Sequence, residues 1–214
     1  MKQNSDRPYP GFLFVFEGID GTGKTTICTA LYDALVNDGL AVVHLREPTS
    51  ESPWGKEIRK RSPSGSLSAS EELDLFIRDR DWHIKNRISP ALDNGSVVLL
   101  DRYFFATGAY QYTSTGIPWK DILRKNREEI NAPEPDIVFL LDVAAEIGLD
   151  RVIGSRGEKN EQFEQLERLV RVRQAYLEMS REDSANYLVI DASESLDLII
   201  DKVYQVICKF IQKQ

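Results

Sequence analysis

The chain has 214 residues, 42% of them hydrophobic and 29% charged, with a net charge of −7. This suits one globular domain with a sizeable core, and the acidic balance excludes a surface that binds nucleic acid through overall positive charge. Two distant cysteines, Cys28 and Cys208, and two isolated histidines, His44 and His83, exclude a disulfide framework, a CxxC pair and a histidine–cysteine metal cluster.

In chain order, residues 1–11 lack the apolar run of a secretory signal, and no later segment reaches the ~20 apolar residues of a membrane span. A cytoplasmic location is expected. The run "FLFVF" (12–16) reads as a strand and leads into the glycine loop "GIDGTGKT" (18–25) and a helix over 24–37. A second strand follows at 40–45, then a Ser-rich connection, "SPSGSLSASEE" (62–72), and a helix over 70–94. Within it, Leu73, Ile77, Ile84 and Ile88 mark an inner face. Strands at 96–101, 136–142 and 186–191 alternate with helices at 119–131, 144–153, 161–182 and 195–212. The charged stretch "GSRGEKNEQ" (154–162) reads as a flap. Both cysteines fall in helical patterns and are expected to be buried thiols. Short strands that do not strictly alternate suit a parallel sheet covered on both faces. The βαβ series predicts a doubly wound α/β fold, with its crevice at the carboxyl ends of the strands.

The loop at 18–25 fits G-x-x-x-x-G-K-[ST] and lies between a predicted strand and a predicted helix, the setting that motif needs. A phosphate chain requires several converging donors, and glycine permits the turns that converge backbone N–H groups. The helix N-terminus adds unpaired N–H groups and a positive dipole end. Nucleoside triphosphate contacts are therefore expected from Gly18, Ile19, Asp20, Gly21, Thr22, Gly23, Lys24, Thr25 and Thr26. Lys24 supplies a point charge for the β/γ-phosphates, and the Thr25 hydroxyl can hold Mg²⁺. The loop alone does not separate a kinase from a switch or a motor.

Asp101 and Arg102 close a predicted strand at the same sheet edge. They read either as a surface ion pair or as a Mg²⁺ holder and a phosphate clamp, and the P-loop beside them favours the second. Phe76 and Arg80 lie four apart on one helix face. They suit a nucleobase by stacking and hydrogen bonding, or else are a core ring and a solvated charge.

The chain resembles the thymidylate kinase family of P-loop nucleoside monophosphate kinases. The resemblance rests on "FEGIDGTGKTT" (16–26), "REP" (46–48), "LFIRDR" (75–80), "DRYFFATGAYQ" (101–111), "LLDV" (140–143) and "VIDAS" (189–193), in family order across most of the chain. It implies a three-layer P-loop NTPase fold, a five-stranded parallel sheet flanked by helices, with a short lid at about 150–164. It implies transfer of the γ-phosphoryl of ATP to dTMP, with Mg²⁺ held by Thr25 and Asp101, and a homodimer; the acidic balance and the lack of a long apolar run lead to the expectation of neither nucleic-acid nor membrane partners. On the acceptor side it implies Asp20 at the 3′-hydroxyl, with Glu47 and Arg59 nearby and Arg102 on the phosphate. Phe76 stacks on thymine, Arg80 reads a base carbonyl, Thr107 and Gln111 line the pocket, and Tyr110 crowds the 2′ position. Ala192 and Ser193 flank adenine. The P-loop lacks an arginine, so the lid supplies the catalytic cation: Arg156 is the choice among Arg151, Arg156 and Lys159, with Arg151 over the adenine. Where the family reads REPGGT this chain reads "REPTSE", and positions 105 and 106 are Phe and Ala. The alternatives are a kinase for another deoxynucleotide or nucleoside and a non-catalytic P-loop nucleotide-binding protein.

Overall fold

Five apolar runs form one parallel sheet in a computed structural model that describes residues 8–153 and 159–213. The strands are β1 (Phe12–Glu17), β2 (Val42–Arg46), β3 (Val97–Asp101), β4 (Ile137–Asp142) and β5 (Tyr187–Asp191), in the order β2-β3-β1-β4-β5. All four pairings are parallel. β3 is buried throughout, and β1 and β4 nearly so, whereas the edge strands β2 and β5 are partly exposed. That gradient explains why the inner runs are continuously apolar and the edge runs carry His44 and Tyr187.

The order also fixes where function can lie. The chain leaves β1 for β2 on one side and leaves β3 for β4 on the other, so a crevice opens between β1 and β3 at their carboxyl ends. Phe16 pairs in register with Asp101, and Arg46 pairs with Asp101 from the other side. The glycine loop, Asp101 and the end of β2 therefore emerge together.

The helices are α1 (Lys24–Asn37), α2 (Pro53–Arg61), α3 (Ala69–His83), α4 (Ser89–Asp93), α5 (Phe104–Thr115), α6 (Trp119–Glu129), α7 (Ala145–Ile153), α8 (Lys159–Glu182) and α9 (Leu196–Gln212). The helix expected over 70–94 passes through a π turn at Ile84–Ile88 that joins α3 to α4. Its predicted inner face, Leu73, Ile77, Ile84 and Ile88, is buried. Two helices, α2 and α5, stand where the sequence predicts none. α2 begins at Ser52, whose hydroxyl accepts from the Gly55 amide, with proline at the first helical position. α3 starts with a Ser68–Glu71 capping box inside the Ser-rich connection.

The core is aromatic around the sheet, with Phe16 stacked on Phe139 at 5.2 Å between ring centroids. α8 is tied to the carboxyl edge of the sheet at two points. Arg173 donates to both Asp142 oxygens at 2.7 and 2.9 Å. The Tyr176 hydroxyl donates to Glu17 at 2.8 Å. Cys28 is buried as expected, but Cys208 is only half-buried; both are free. No helix among the described residues is long and apolar enough to cross a membrane.

Candidate active site

The loop after β1 is shaped by glycines that no other residue could replace without rebuilding it. A Cβ on Gly18 would lie 2.4 Å from the Leu141 carbonyl oxygen, and one on Gly21 would lie 2.1 Å from that of Gly148. Both residues have positive φ, 138° and 82°. Lys24 opens α1 and turns back over the loop, donating to the carbonyls of Gly18 (2.9 Å) and Ile19 (2.7 Å) and to the Thr22 hydroxyl (3.3 Å). Burial and the nearby Arg102 guanidinium push its amine down to about 7. An anion placed beside it would restore its charge.

Thr25, one residue on, donates to Asp101 Oδ2 at 2.6 Å. Asp101 is buried, and its Oδ1 has no hydrogen-bond partner. A hydroxyl and a carboxylate with an uncommitted oxygen fit a small hard cation. Among the described residues no group of three or more His, Cys, Asp or Glu could hold a metal by itself. Thr25 and Asp101 would offer such a cation one or two protein oxygens, leaving the rest of its shell to phosphates and water.

Arg102 follows with φ of 70°, a left-handed conformation uncommon outside glycine, and its amide donates to the Phe16 carbonyl at 3.0 Å. Its guanidinium donates to Asp20 at 2.6 Å and lies 5.1 Å from the centre of the Tyr110 ring. Tyr110 donates to the other Asp20 oxygen at 3.1 Å. Burial works to raise the Asp20 carboxyl, but the Arg102 and Lys24 charges outweigh it and hold it below the usual range. Beneath this layer sits Glu17, fully buried, accepting from the Tyr103 and Ala106 amides and the Tyr176 hydroxyl. Burial raises its carboxyl to about 7, against the pull of Arg102 and of those donors.

Two cavities meet at this layer. One is lined by Gly21, Gly23, Lys24, Thr25, Thr26, Arg46, Asp101, Asp20 and Arg102. The other is lined by Glu47, Pro48, Ser62, Glu72, Phe76, Arg80, Tyr103, Ala106, Thr107, Tyr110, Gln111 and Arg168, and again by Asp20 and Arg102. Its floor is a buried ion pair. Arg80 donates through Nε to Glu47 at 2.8 Å, through Nη1 to Asn126 at 2.7 Å and through Nη2 to Thr107 at 2.9 Å. His83 Nδ1 lies 3.2 Å from the other Glu47 oxygen. Phe76, partly exposed, supplies a flat apolar wall.

The residues expected to hold an acceptor, Asp20, Glu47, Phe76, Arg80, Arg102, Thr107, Tyr110 and Gln111, thus come together in one cavity. Arg59 does not line it. Its guanidinium donates to the carbonyl of Pro48, which does. On the opposite side, Arg151 donates to the Gly21 carbonyl at 3.3 Å and the Ala192 carbonyl at 3.0 Å, bringing the loop, α7 and the turn after β5 together. Ser193 is held in that turn by Asp191, through its amide at 2.9 Å and its hydroxyl at 2.6 Å. Arg156 lies outside the described residues.

Sequence reading gave no role to Arg46, Arg168, Glu17 or Asp79. Arg46 sits 3.7 Å from Asp101 and lines the loop cavity. Its place at the end of β2, level with Asp101, is a register effect. Arg168, on α8, lies 5.7 Å from the Tyr110 ring centre. Asp79 accepts from the Thr49 amide at 2.8 Å and the Ser52 hydroxyl at 2.5 Å, pinning the chain between β2 and α2.

A glycine loop at the switch point of a parallel sheet, with a lysine over it and a second cavity across a shared arginine, defines a P-loop phosphotransferase. The family model described as thymidylate kinase matches residues 16–203. The chain is 40% identical over 197 residues to the thymidylate kinase of Xanthomonas euvesicatoria, covering 92% of this chain and 83% of that one. It is 42% identical over 199 residues to a probable thymidylate kinase of Archaeoglobus fulgidus, covering 93% and 96%. The chain belongs to the thymidylate kinase family, whose members are ATP-dependent phosphotransferases.

Proposed function

We propose that the chain moves the γ-phosphoryl of ATP to dTMP by in-line transfer, giving dTDP and ADP, with the residues of the two cavities in the following roles. The observation that supports this most is the shared wall: Asp20 and Arg102 line both cavities, so two phosphate tails entering from opposite sides meet at one guanidinium. The loop 18–25 takes the ATP phosphates, and Lys24 leaves the loop carbonyls to neutralise them. Arg151, Ala192 and Ser193 take the adenine side. Phe76 stacks on thymine, Arg80 with Thr107 and Gln111 borders its edge, and Tyr110 with Asp20 borders the sugar. Arg102 holds the acceptor phosphate, with Arg59 at the rim beside Pro48. Mg²⁺ bound through Thr25 and Asp101, directly or through water, would neutralise the β- and γ-oxygens.

No strong base is required, because a phosphate monoester, with a second pKa near ~6, is already anionic near neutral pH. Positioning and charge neutralisation by Lys24 and Arg102 supply the catalysis, with Arg156 of the 150–164 lid as the further cation. The reading includes a homodimer and a cytoplasmic location. An acceptor panel of dTMP, dUMP, dGMP and thymidine in a coupled ADP-release assay tests it. Strong ADP formation with dTMP, and little with dGMP or thymidine, is expected. ADP formation that ignores the acceptor contradicts it.

A further inference from the structure

The acceptor cavity contains a carboxylate that phosphoryl transfer does not use. Glu72 lies in the first turn of α3, and its two oxygens are both engaged inside the cavity wall. Oε2 accepts from Gln111 Nε2 at 2.8 Å, and Oε1 accepts from the Ser62 hydroxyl. Gln111, on α5, is 2% exposed, and its Oε1 accepts from the Ser114 hydroxyl at 3.1 Å. Ser62, Glu72 and Gln111 share the cavity with Phe76 and Arg80. Arg80 is held in place by Glu47, Asn126 and Thr107 through Nε, Nη1 and Nη2. The amide of Gln111 brings a second hydrogen-bonding group to that edge.

A primary amide has a donating end and an accepting end, and half a turn about its last torsion exchanges them. An ionised carboxylate only accepts. With the Gln111 carbonyl against Glu72, two acceptors would face each other; with the amino group there, a charge-assisted bond forms. Serine tolerates either end, so Ser114 does not decide. Glu72 does. It leaves Oε1 with one lone pair beyond its bond from Ser114.

We propose that Glu72 is a positioning residue that fixes the Gln111 amide so that it presents an acceptor to the base, selecting pyrimidines that carry hydrogen on N3. Thymine and uracil donate from N3; cytosine accepts there and would match the reversed amide. The proposal rests on the reading of this cavity as the nucleobase site. Glu72→Gln keeps the shape but can bond either end of the amide, and Glu72→Ala removes the constraint outright.

The test is kcat and KM for dTMP and dCMP with the wild type and both variants, together with direct calorimetric binding of the two nucleotides. The dTMP/dCMP ratio of kcat/KM is expected to fall about tenfold or more in each variant, in line with the weight of a polar contact in discrimination. The loss should fall on KM for dTMP, and calorimetry should show the same loss of preference. A ratio that stays at the wild-type value, or equal losses for both nucleotides, overturns the proposal. A wild type that forms no ADP with dTMP is a different failure: it removes the nucleobase reading, and this proposal with it. If a variant folds poorly, the ratio measured by calorimetry on its folded fraction still decides, since misfolding scales both nucleotides alike.

Discussion

Thr25 donates its hydroxyl to Asp101 Oδ2 at 2.6 Å, bridging 76 residues of chain, while Asp101 Oδ1 is buried without a hydrogen-bond partner. A buried charged oxygen without a partner is costly unless a cation completes it. Asp101→Asn keeps the shape and the bond from Thr25 but removes the charge. The Mg²⁺ concentration for half-maximal activity is expected to rise about 10–100-fold. A titration of ADP formation against Mg²⁺ measures this, and an unchanged midpoint contradicts the metal assignment.

Lys24 titrates at about 7 because burial and Arg102 oppose its charge. Nucleotide phosphates reverse that balance, so ATP binding above pH 7 should take up a proton. ATP affinity should therefore weaken as pH rises beyond about 7. Calorimetry at pH 8 in two buffers of different ionisation enthalpy should show uptake approaching one proton. Lys24→Met should abolish the uptake and lower turnover by about 10²–10³-fold, the scale of losing one preorganised donor. Equal heats in both buffers for the wild type would count against this role.

Arg80 and Glu47 form a buried pair with side chains 1% and 3% exposed. Removing one partner strands the other charge. Arg80→Met is expected to lower unfolding stability by about 3–5 kcal/mol in a urea titration. Arg80→Met combined with Glu47→Gln should recover part of that loss. A single variant as stable as the wild type would mean that the Arg80–Glu47 pair does not hold the fold together.

Glu17 gives stability a pH slope. Its carboxyl is raised from 4.5 to about 7, chiefly by burial. Between those values the folded protein keeps a proton that the unfolded chain releases, so stability falls as pH rises from about 4.5 to 7 and levels off above. The loss from this group is on the order of 3 kcal/mol. Glu17→Gln can still accept from the Tyr103 and Ala106 amides and should flatten that interval in denaturant titrations across pH. A variant with the wild-type slope would assign it to another group.

Much of this fold is readable because its inner strands are buried on both faces, which leaves continuous apolar runs. The glycine loop is readable because its phosphate geometry demands particular residues. α5 was hidden for a physical reason. Its sequence, FFATGAYQYTST, is rich in aromatic, β-branched and glycine residues, and it is helical because it packs between α6 and α8. A Cβ on Gly108 would lie 2.5 Å from Leu123 Cδ1 and 2.9 Å from Met179 Cε, so that glycine records a close approach. α2 did carry a signal, the Ser52 cap before Pro53, masked by its short polar sequence. The cavity around Phe76 and Arg80 is legible only through family resemblance. The contacts that build it, Arg80 with Asn126 46 residues away and Glu72 with Gln111 39 residues away, depend on tertiary packing that no local pattern encodes.

The central claim is that two nucleotides lie end to end across Arg102. A crystal structure with an adenosine–thymidine oligophosphate bisubstrate mimic tests it most directly. Expected are adenine beside Arg151 and Ala192, thymine against Phe76, and the phosphate chain passing over the loop 18–25 to Arg102. A mimic bound only through its adenosine half, with the Phe76 cavity closed by its own side chains, would contradict it.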